Sequence, residues 1–246
     1  MTEILTFLLA GVVGGAVNTA AGGAKLFVFP MLLAAGLPPV AANATSIVAL
    51  WPAQMPAVWV QRASLPRDRK ILLGHMAMVI VGALLGVYAL ISVGEQVFVS
   101  LVPFFLAIAV GTILFGERLG RWVRSLPVAG ALPGLVLLFV CGAYGGFFGA
   151  GVGFMLVAAL LVSGMTDIRA ANAHKNLLAT VASTTAVLPL TLSGLVDWRA
   201  AVLVAAGGIV GGYAGALLLK LIPPFPLKVL ISVMGIVLTL AFLYNN

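Results

Sequence analysis

Two lysines lie inside hydrophobic segments, one in each half of the chain. Lys25 and Lys175 have no Asp or Glu in their own apolar segments, and all six acidic residues lie in or beside predicted loops. A bare ammonium group in hydrocarbon costs several kcal/mol, about 3 on insertion scales. The two lysines therefore predict a site whose counter-charge comes from outside the protein. The simplest such ligand is a small anion bound near the centre of a membrane protein.

Glycines and small polar residues accompany the lysines. A glycine break at Gly22 and Gly23 precedes the first lysine, with Asn18 and Thr19 just before it, and a second break runs through residues 149–153. A helix that starts after such a break points its free N–H groups and positive dipole end towards the break, which makes an anion site. Glycine also lets an anion approach the main chain closely.

A second polar set follows each break, early in the next predicted helix. In the first half it contains Thr45 and Ser46, and in the second half it also carries charge. Asn172 and Asn176 are four residues apart and share a helix face, and Asn172 and Lys175 are three apart and also neighbours. The predicted substrate-binding residues are Asn18, Thr19, Gly22, Gly23, Lys25, Thr45, Ser46, Gly151, Asn172, His174, Lys175 and Asn176.

Several of these residues have a second interpretation. Either lysine could extend its long side chain to the membrane interface. His174 is either a hydrogen-bonded core residue or a proton site, whereas His75, close after Lys70, is expected at the interface. An intramembrane enzyme could pair His174 with Ser183 or Thr180, but no acidic residue is available to orient the histidine. We therefore predict that the protein is not an enzyme.

The composition is that of an integral membrane protein. Of the 246 residues, 63% are hydrophobic and 8% are charged, and the mean hydropathy is +1.22. The net charge of +7 lies mostly in short loops, as the positive-inside rule describes, and no basic tail suggests nucleic acid. A single cysteine, Cys141, and two distant histidines predict neither a disulfide framework nor a metal site. We expect no cofactor, and the expected partners are a small anion and the lipid bilayer.

The chain divides into two similar halves within one transmembrane domain, 1–246. With a constant shift of 129 residues, Asn43-Ala44 matches Asn172-Ala173, and Asp68 matches Asp197. Such agreement predicts a duplication into repeat 1, residues 1–127, and repeat 2, residues 128–246. Many transporters are built from internal repeats, and glycine-interrupted helices at matching places in two halves indicate a binding site.

The predicted architecture is all-α and polytopic. Each half begins with a longer apolar stretch that contains its glycine break, near 3–35 and 128–163. A bilayer-spanning helix needs about 20 residues. Six further apolar runs have this length, near 39–61, 70–92, 96–115, 168–193, 198–219 and 226–244.

The two broken stretches allow two topologies. If each crosses the membrane, there are eight spans, and the loop Lys and Arg residues divide eight against three. If each enters and returns, there are six spans and two re-entrant hairpins, and the division is ten against one, with Arg199 in the minority. The positive-inside rule favours the second topology. The repeats are then inverted, both termini face the periplasm, and the loops 62–70, 116–127 and 220–228 face the cytoplasm.

The pattern resembles the sulfite exporter TauE/SafE family. The residues that carry the resemblance are GGAKLFVFPMLLAAG at 22–36 and ANATS at 42–46, with their second-half counterparts GGFFGAGVGFML at 145–156 and ANAHKN at 171–176. The resemblance covers nearly the whole chain, including the duplication. It implies transport of sulfur-containing oxyanions such as sulfite or organosulfonates, whereas the residues alone imply only a small anion.

The sequence therefore predicts a secondary transporter or facilitator of a small sulfur-containing anion in the bacterial inner membrane, working as an exporter. Lys25 and Lys175 would supply charge, and the half-helix N-termini with the neighbouring amides and hydroxyls would supply hydrogen bonds. The alternatives are an intramembrane enzyme and a general small-anion channel.

Overall fold

The computed structural model describes residues 2–21, 23–66, 68–124 and 130–218, with isolated positions between 229 and 244. This described part is helical and contains no strand, which confirms the all-α prediction. Most of the predicted span 226–244 lies outside the described residues. The helices are α1 (Thr2–Ala21), α2 (Lys25–Ala34), α3 (Pro39–Leu50), α4 (Met55–Gln61), α5 (Arg69–Ser92), α6 (Glu95–Arg124), α7 (Ala131–Phe147), α8 (Val152–Val162), α9 (Ile168–Leu192) and α10 (Trp198–Leu218).

Local signals explain where two long helices begin. Asp68 precedes α5, and its carboxylate accepts a hydrogen bond from the Lys70 N–H at 2.9 Å. Asp167 precedes α9 and accepts from the Arg169 N–H at 2.8 Å. A carboxylate in this N-cap position satisfies backbone donors that the helix leaves free. The predicted starts, at residues 70 and 168, therefore agree with the structure to within one residue.

The apolar run 39–61, predicted as one span, is helical but divided in the structure. Helix α3 ends at Leu50, a 3-10 turn covers Pro52–Gln54, and α4 follows. Proline has no N–H and its ring clashes with the carbonyl four residues earlier, so Pro52 ends the α-helical hydrogen bonding. The apolar run is continuous in sequence, but a 3-10 turn divides it into two α-helices.

The predicted loop 116–127 is also partly wrong, because helix α6 continues to Arg124. The predicted span ends at residue 115 because the apolar run ends there. The basic residues that follow are compatible with a helix, so the helix continues beyond the span. By length and composition, two stretches of the described residues could cross a membrane, namely Arg69–Ser92 and Glu95–Phe115. Shorter apolar helices accompany them at Glu3–Asn18, Lys25–Ala34, Ala131–Phe147, Val152–Val162 and Trp198–Ala214.

Each glycine-broken stretch folds back as a helical hairpin. In the second, the Gly130 N–H donates to the Val162 carbonyl at 3.1 Å, which joins the start of α7 to the end of α8. In the first, a Cβ added to Gly14 would lie 2.4 Å from Val28 Cγ2, so α1 and α2 also lie side by side. The short arms have 10 and 11 residues, about 15 Å of helix, or half of a 30 Å hydrocarbon layer.

Each hairpin packs its longer arm against a helix from the other half. Helix α1 lies along α10, and α7 lies along α5. Glycines bring these backbones into contact: a Cβ on Gly15 would lie 2.2 Å from the Gly208 carbonyl, and one on Gly86 would lie 2.0 Å from the Ala143 carbonyl. Small residues at such crossings allow the close approach that holds membrane helices together.

Candidate functional site

The second break, residues 148–151, separates α7 from α8. Its backbone turns through Gly149 at φ +80° and Gly151 at φ +71°, which side chains with a Cβ rarely adopt. The Tyr144 hydroxyl donates to the Ala150 carbonyl at 2.6 Å and fixes the turn from the α7 side. Helix α8 then begins at Val152, as predicted. The break is a defined loop with its own hydrogen bonds.

Side chains from the first half bind the carbonyl end of α7. The Lys25 ammonium donates to the Phe148 carbonyl and lies 5.2 Å from the centre of the Phe148 ring. Asn43 Nδ2 donates to the Phe147 carbonyl at 2.8 Å. The last carbonyls of a helix lack partners in the helix and form the negative end of its dipole, so a cation there is favourable. The start of the short arm α2 is thereby linked to the second break.

Lys175 lies at the opposite end of the same break. Its Cδ would be 3.6 Å from a Cβ placed on Gly153, so its aliphatic stem passes over the first turn of α8. Lys175 is half-buried. This turn is the N-terminal, positive end of the α8 dipole. A lysine charge near this turn adds to the positive potential of the helix end. The two contributions together favour binding of an anion.

The other predicted residues of α9 each have a different partner. Asn176 Nδ2 donates to Gln61 Oε1 at 3.1 Å, across to α4. Asn172 Nδ2 donates to the Ile168 carbonyl within its own helix at 3.0 Å. His174 stacks on His75 of α5, with ring centres 5.1 Å apart. Of this set, only Lys175 has its stem on the first turn of α8.

The polar pair of α3 is used inside the fold. Thr45 Oγ1 accepts a hydrogen bond from the Asp197 N–H at 3.0 Å, just before α10. The Ser46 hydroxyl donates to the Asn43 carbonyl within α3 at 2.7 Å. Both residues are fully buried. These contacts account for their position without a ligand.

The first break holds the remaining predicted residues. Asn18 is half-buried near the end of α1, and Thr19 lies on the same helix. Gly22 lies outside the described residues, and Gly23 is buried with its carbonyl accepting from the Leu26 N–H at 3.1 Å. Lys25 begins α2 within the first turn after the break, as predicted.

His75, expected at the membrane interface, is buried inside the protein. Its side chain is 6% exposed and stacks on the fully buried His174 at an interplanar angle of 19°. Two residues separated by 99 positions are thus brought together by the packing of α5 against α9. Hydropathy near Lys70 could not reveal this contact, because it depends on tertiary packing.

Aromatic residues around the second break were not predicted. The Phe148 ring lies 5.5 Å from Phe29 of α2 and 5.6 Å from Phe105 of α6. These rings pack the short arm of the first hairpin against the loop of the second hairpin. The adjacent phenylalanines within GGFFGAG were the available sequence signal, because large apolar residues inside a glycine-rich turn need a packing partner.

A cavity of about 400 Å³ lies beside this region, between α5, α6 and α7. Its walls are almost wholly apolar, from residues such as Leu85, Phe105, Ile108 and Val140. Tyr144 contributes the one hydroxyl, which is already bonded to Ala150 and lies 3.3 Å from the Phe105 carbonyl. The cavity does not offer an oxyanion the donors it requires.

The comparison with known families decides the membership of the chain. Residues 7–242 match the family "Sulfite exporter TauE/SafE". The chain belongs to this family. It is 26% identical to the "Probable membrane transporter protein" of Haemophilus influenzae, over 99% of this chain and 96% of that protein. It is 27% identical to the "Probable membrane transporter protein YfcA" of Escherichia coli K12, over 94% and 86%.

No solved structure matches the chain. This TauE/SafE member is a membrane transporter, as its family and the names of its relatives indicate. Among the described residues, no group of three or more His, Cys, Asp or Glu side chains could hold a metal ion.

Proposed function

We propose that the protein transports a small sulfur-containing oxyanion, such as sulfite or an organosulfonate, out of the cell across the bacterial inner membrane. The observation that carries the proposal is the position of Lys25 and Lys175 at opposite ends of the second break; the proposal places this break near mid-membrane. Lys25 holds the carbonyl end of α7, and Lys175 lies over the amide end of α8. The anion would bind at the amide end.

The chemistry of this end fits an oxyanion. The positive end of a helix dipole attracts an anion. In α8 the Val152 and Phe154 N–H groups donate to the Gly149 and Gly151 carbonyls at 3.4 and 3.0 Å, so the dipole and the Lys175 ammonium carry most of the attraction. Gly153 places no Cβ over this turn, where the Lys175 stem lies, and an ammonium supplies up to three further donors. Gly151 instead packs against the Ala109 backbone of α6. Lys25 would contribute charge across the loop, while its contact with Phe148 keeps the two breaks together.

The proposed topology has six spans and two re-entrant hairpins in inverted repeats. The Gly130–Val162 hydrogen bond supports it, because the two arms of the second hairpin open at the same end. The packing between the halves supports the repeat. The longer arm of each hairpin packs on a helix of the other half, α1 on α10 and α7 on α5. His75 of α5 and His174 of α9 meet, each seven residues after its helix cap, as two helices running in the same direction would bring them together.

Single cysteines test the topology. Ser64→Cys, Ser125→Cys and Pro224→Cys would be made in a Cys141→Ala background and treated with an impermeant thiol reagent in intact cells. We expect protection of all three, because their loops carry most of the positive charge. Labelling of Pro224→Cys alone would support eight spans and exclude the re-entrant arrangement.

Flux into liposomes tests the function. Purified protein would be reconstituted, and uptake of labelled sulfite, thiosulfate, isethionate, sulfate and chloride would be measured. Empty liposomes give the leak, and Lys70→Met is a control variant that should transport as the wild type does. Lys70 is exposed at the start of α5, far from the second break. We expect saturable uptake of at least one sulfur oxyanion and little of chloride. Non-saturating flux of chloride would identify a general anion channel instead.

An enzyme finds less support in the contacts of the described residues. The Ser183 hydroxyl is 3.2 Å from Gln54 Oε1, and the Thr180 hydroxyl donates to the Asn176 carbonyl. His174 faces His75 rather than either hydroxyl. A nucleophile activated by this histidine therefore lacks its geometry.

A further inference from the structure

The stacked pair His75–His174 is the most unusual polar feature outside the proposed anion site. Both rings are buried, with exposures of 6% and 0%. Both ring nitrogens of His174 and Nδ1 of His75 have no hydrogen-bond partner within the described part of the chain. Buried polar atoms are nearly always hydrogen-bonded, and each exception calls for an explanation.

The ring geometry argues against a shared metal ion. The two planes are inclined by only 19° with their centres 5.1 Å apart. Imidazole lone pairs lie in the ring plane, so the lone pairs of two stacked rings run nearly parallel and do not converge on one ion. Each nitrogen lone pair can, however, take up a proton. A second proton on the pair would face the first across about 5 Å of low-dielectric interior, so the pair holds one proton at a time.

Among the described residues, no carboxylate lies close enough to pair with a protonated ring of either histidine. Asp68 and Asp167 cap the two helices seven residues before the histidines, about 10 Å away along each axis. Helices α3, α4 and α8 contribute no titratable side chain. The remaining titratable or charged groups on the packed elements are Cys141 and Tyr144 of α7, Arg62 after α4, Arg69, Lys70 and Tyr88 of α5, and Arg169 and Lys175 of α9.

We propose that His75–His174 is a proton-binding site that couples anion transport to proton movement. The inference rests on the proposed anion transport. His174 precedes Lys175 on the same helix, so a proton on the pair and an anion at the start of α8 stabilise each other through opposite charge. By linkage the stabilisation is reciprocal: the anion favours the proton as much as the proton favours the anion. Anion and proton would then cross together in one direction. Net export then requires an outward gradient of the anion that exceeds the inward gradient of the proton.

Proton-driven uptake tests the coupling. Liposomes with the membrane potential clamped at zero would be given a one-unit pH gradient, acidic outside. Thiosulfate and isethionate serve as probes because both stay ionised near neutral pH. With one proton per anion, the wild type should accumulate the probe about tenfold. His174→Gln and His75→Gln should equilibrate the probe without accumulating it. The matched control, Cys141→Ala, removes another buried titratable group of the same region and should accumulate the probe as the wild type does.

A second readout covers variants that fail to fold. The chain has two histidines, so ¹⁵N-histidine labelling reports only this pair, and we expect bound thiosulfate to raise the pH at which the pair takes up its proton. Flux without accumulation in the wild type, or imidazoles that titrate independently of the anion, would overturn the coupling and leave the transport proposal standing. Absence of flux for every sulfur oxyanion in the wild type would remove the transport proposal and this inference together.

Discussion

Lys25 and Lys175 occupy similar sequence surroundings in the two halves, but their structural surroundings differ. Lys25 is 7% exposed, and its ammonium binds a carbonyl at the end of α7. Lys175 is half-buried, and its stem crosses the first turn of α8. One lysine lies at the negative end of a helix dipole and the other at a positive end.

The difference separates two uses of a buried cation. At a helix C-terminus the protein itself supplies the compensating partial charge, so the lysine stabilises a turn. At a helix N-terminus the helix dipole has the same sign as the lysine, and the two together favour an anion. A lysine in an apolar segment is therefore informative about ligands only when the helix end beside it is known.

The largest effect is expected from Lys175→Met. The substitution keeps the apolar stem over Gly153 and removes the charge, which should weaken anion binding by about 10- to 100-fold, as loss of a charge-assisted hydrogen bond does. Binding would be measured as the anion-dependent rise in melting temperature over a concentration series. Lys175→Arg keeps the charge and should retain more of the binding than the methionine variant.

Lys25→Met should act mainly on stability. It leaves the Phe148 carbonyl without its donor in a buried position, which costs about 1–3 kcal/mol in the free energy of unfolding. Part of this is offset because a buried charge is also removed. Denaturant unfolding in detergent would measure the change. If Lys25→Met instead lost anion binding as severely as Lys175→Met at unchanged stability, the roles assigned to the two lysines would be reversed.

Local features of the fold could be predicted from the sequence. The start of α8 at Val152 and the start of α5 follow from glycine conformation and from an Asp cap, which act over a few residues. Helix α3 ended early because Pro52 outweighs a continuous apolar run. A proline lacks the backbone donor that a continuous helix needs, whatever the hydropathy of the run.

Contacts between distant segments could not be predicted from the sequence. Nothing near Lys25 indicates that it reaches Phe148, 123 positions away, and nothing near His75 indicates His174. The shared helix face of Asn172 and Asn176 was a correct geometric argument, but Asn176 found its partner in Gln61 of α4. Helical spacing tells which residues are neighbours on one helix, whereas the neighbouring helix decides what they bind.

Asn43 and Asn172 extend the comparison to two asparagines that match in the repeat. Asn43 is fully buried and binds the Phe147 carbonyl beside the lysine contact. Asn43→Ala should therefore lower the free energy of unfolding by about 1 kcal/mol. A combined Lys25→Met and Asn43→Ala variant should show a non-additive loss, because both side chains serve the same helix end. Strict additivity would mean that the two contacts act independently.

The smallest effect is expected from Asn172→Ala. The Asn172 amide is only half-buried and donates to the Ile168 carbonyl of its own helix, a carbonyl near the start of α9 that the helix itself can satisfy. Alanine also has the higher helix propensity. Stability should stay within about 0.5 kcal/mol of wild type, and anion binding should stay within about twofold. Both follow from the same melting series as for Lys175→Met. A loss of binding comparable to that variant's would mean that Asn172 turns towards the break when the anion is bound, and that the site extends along the face of α9 that the sequence first suggested.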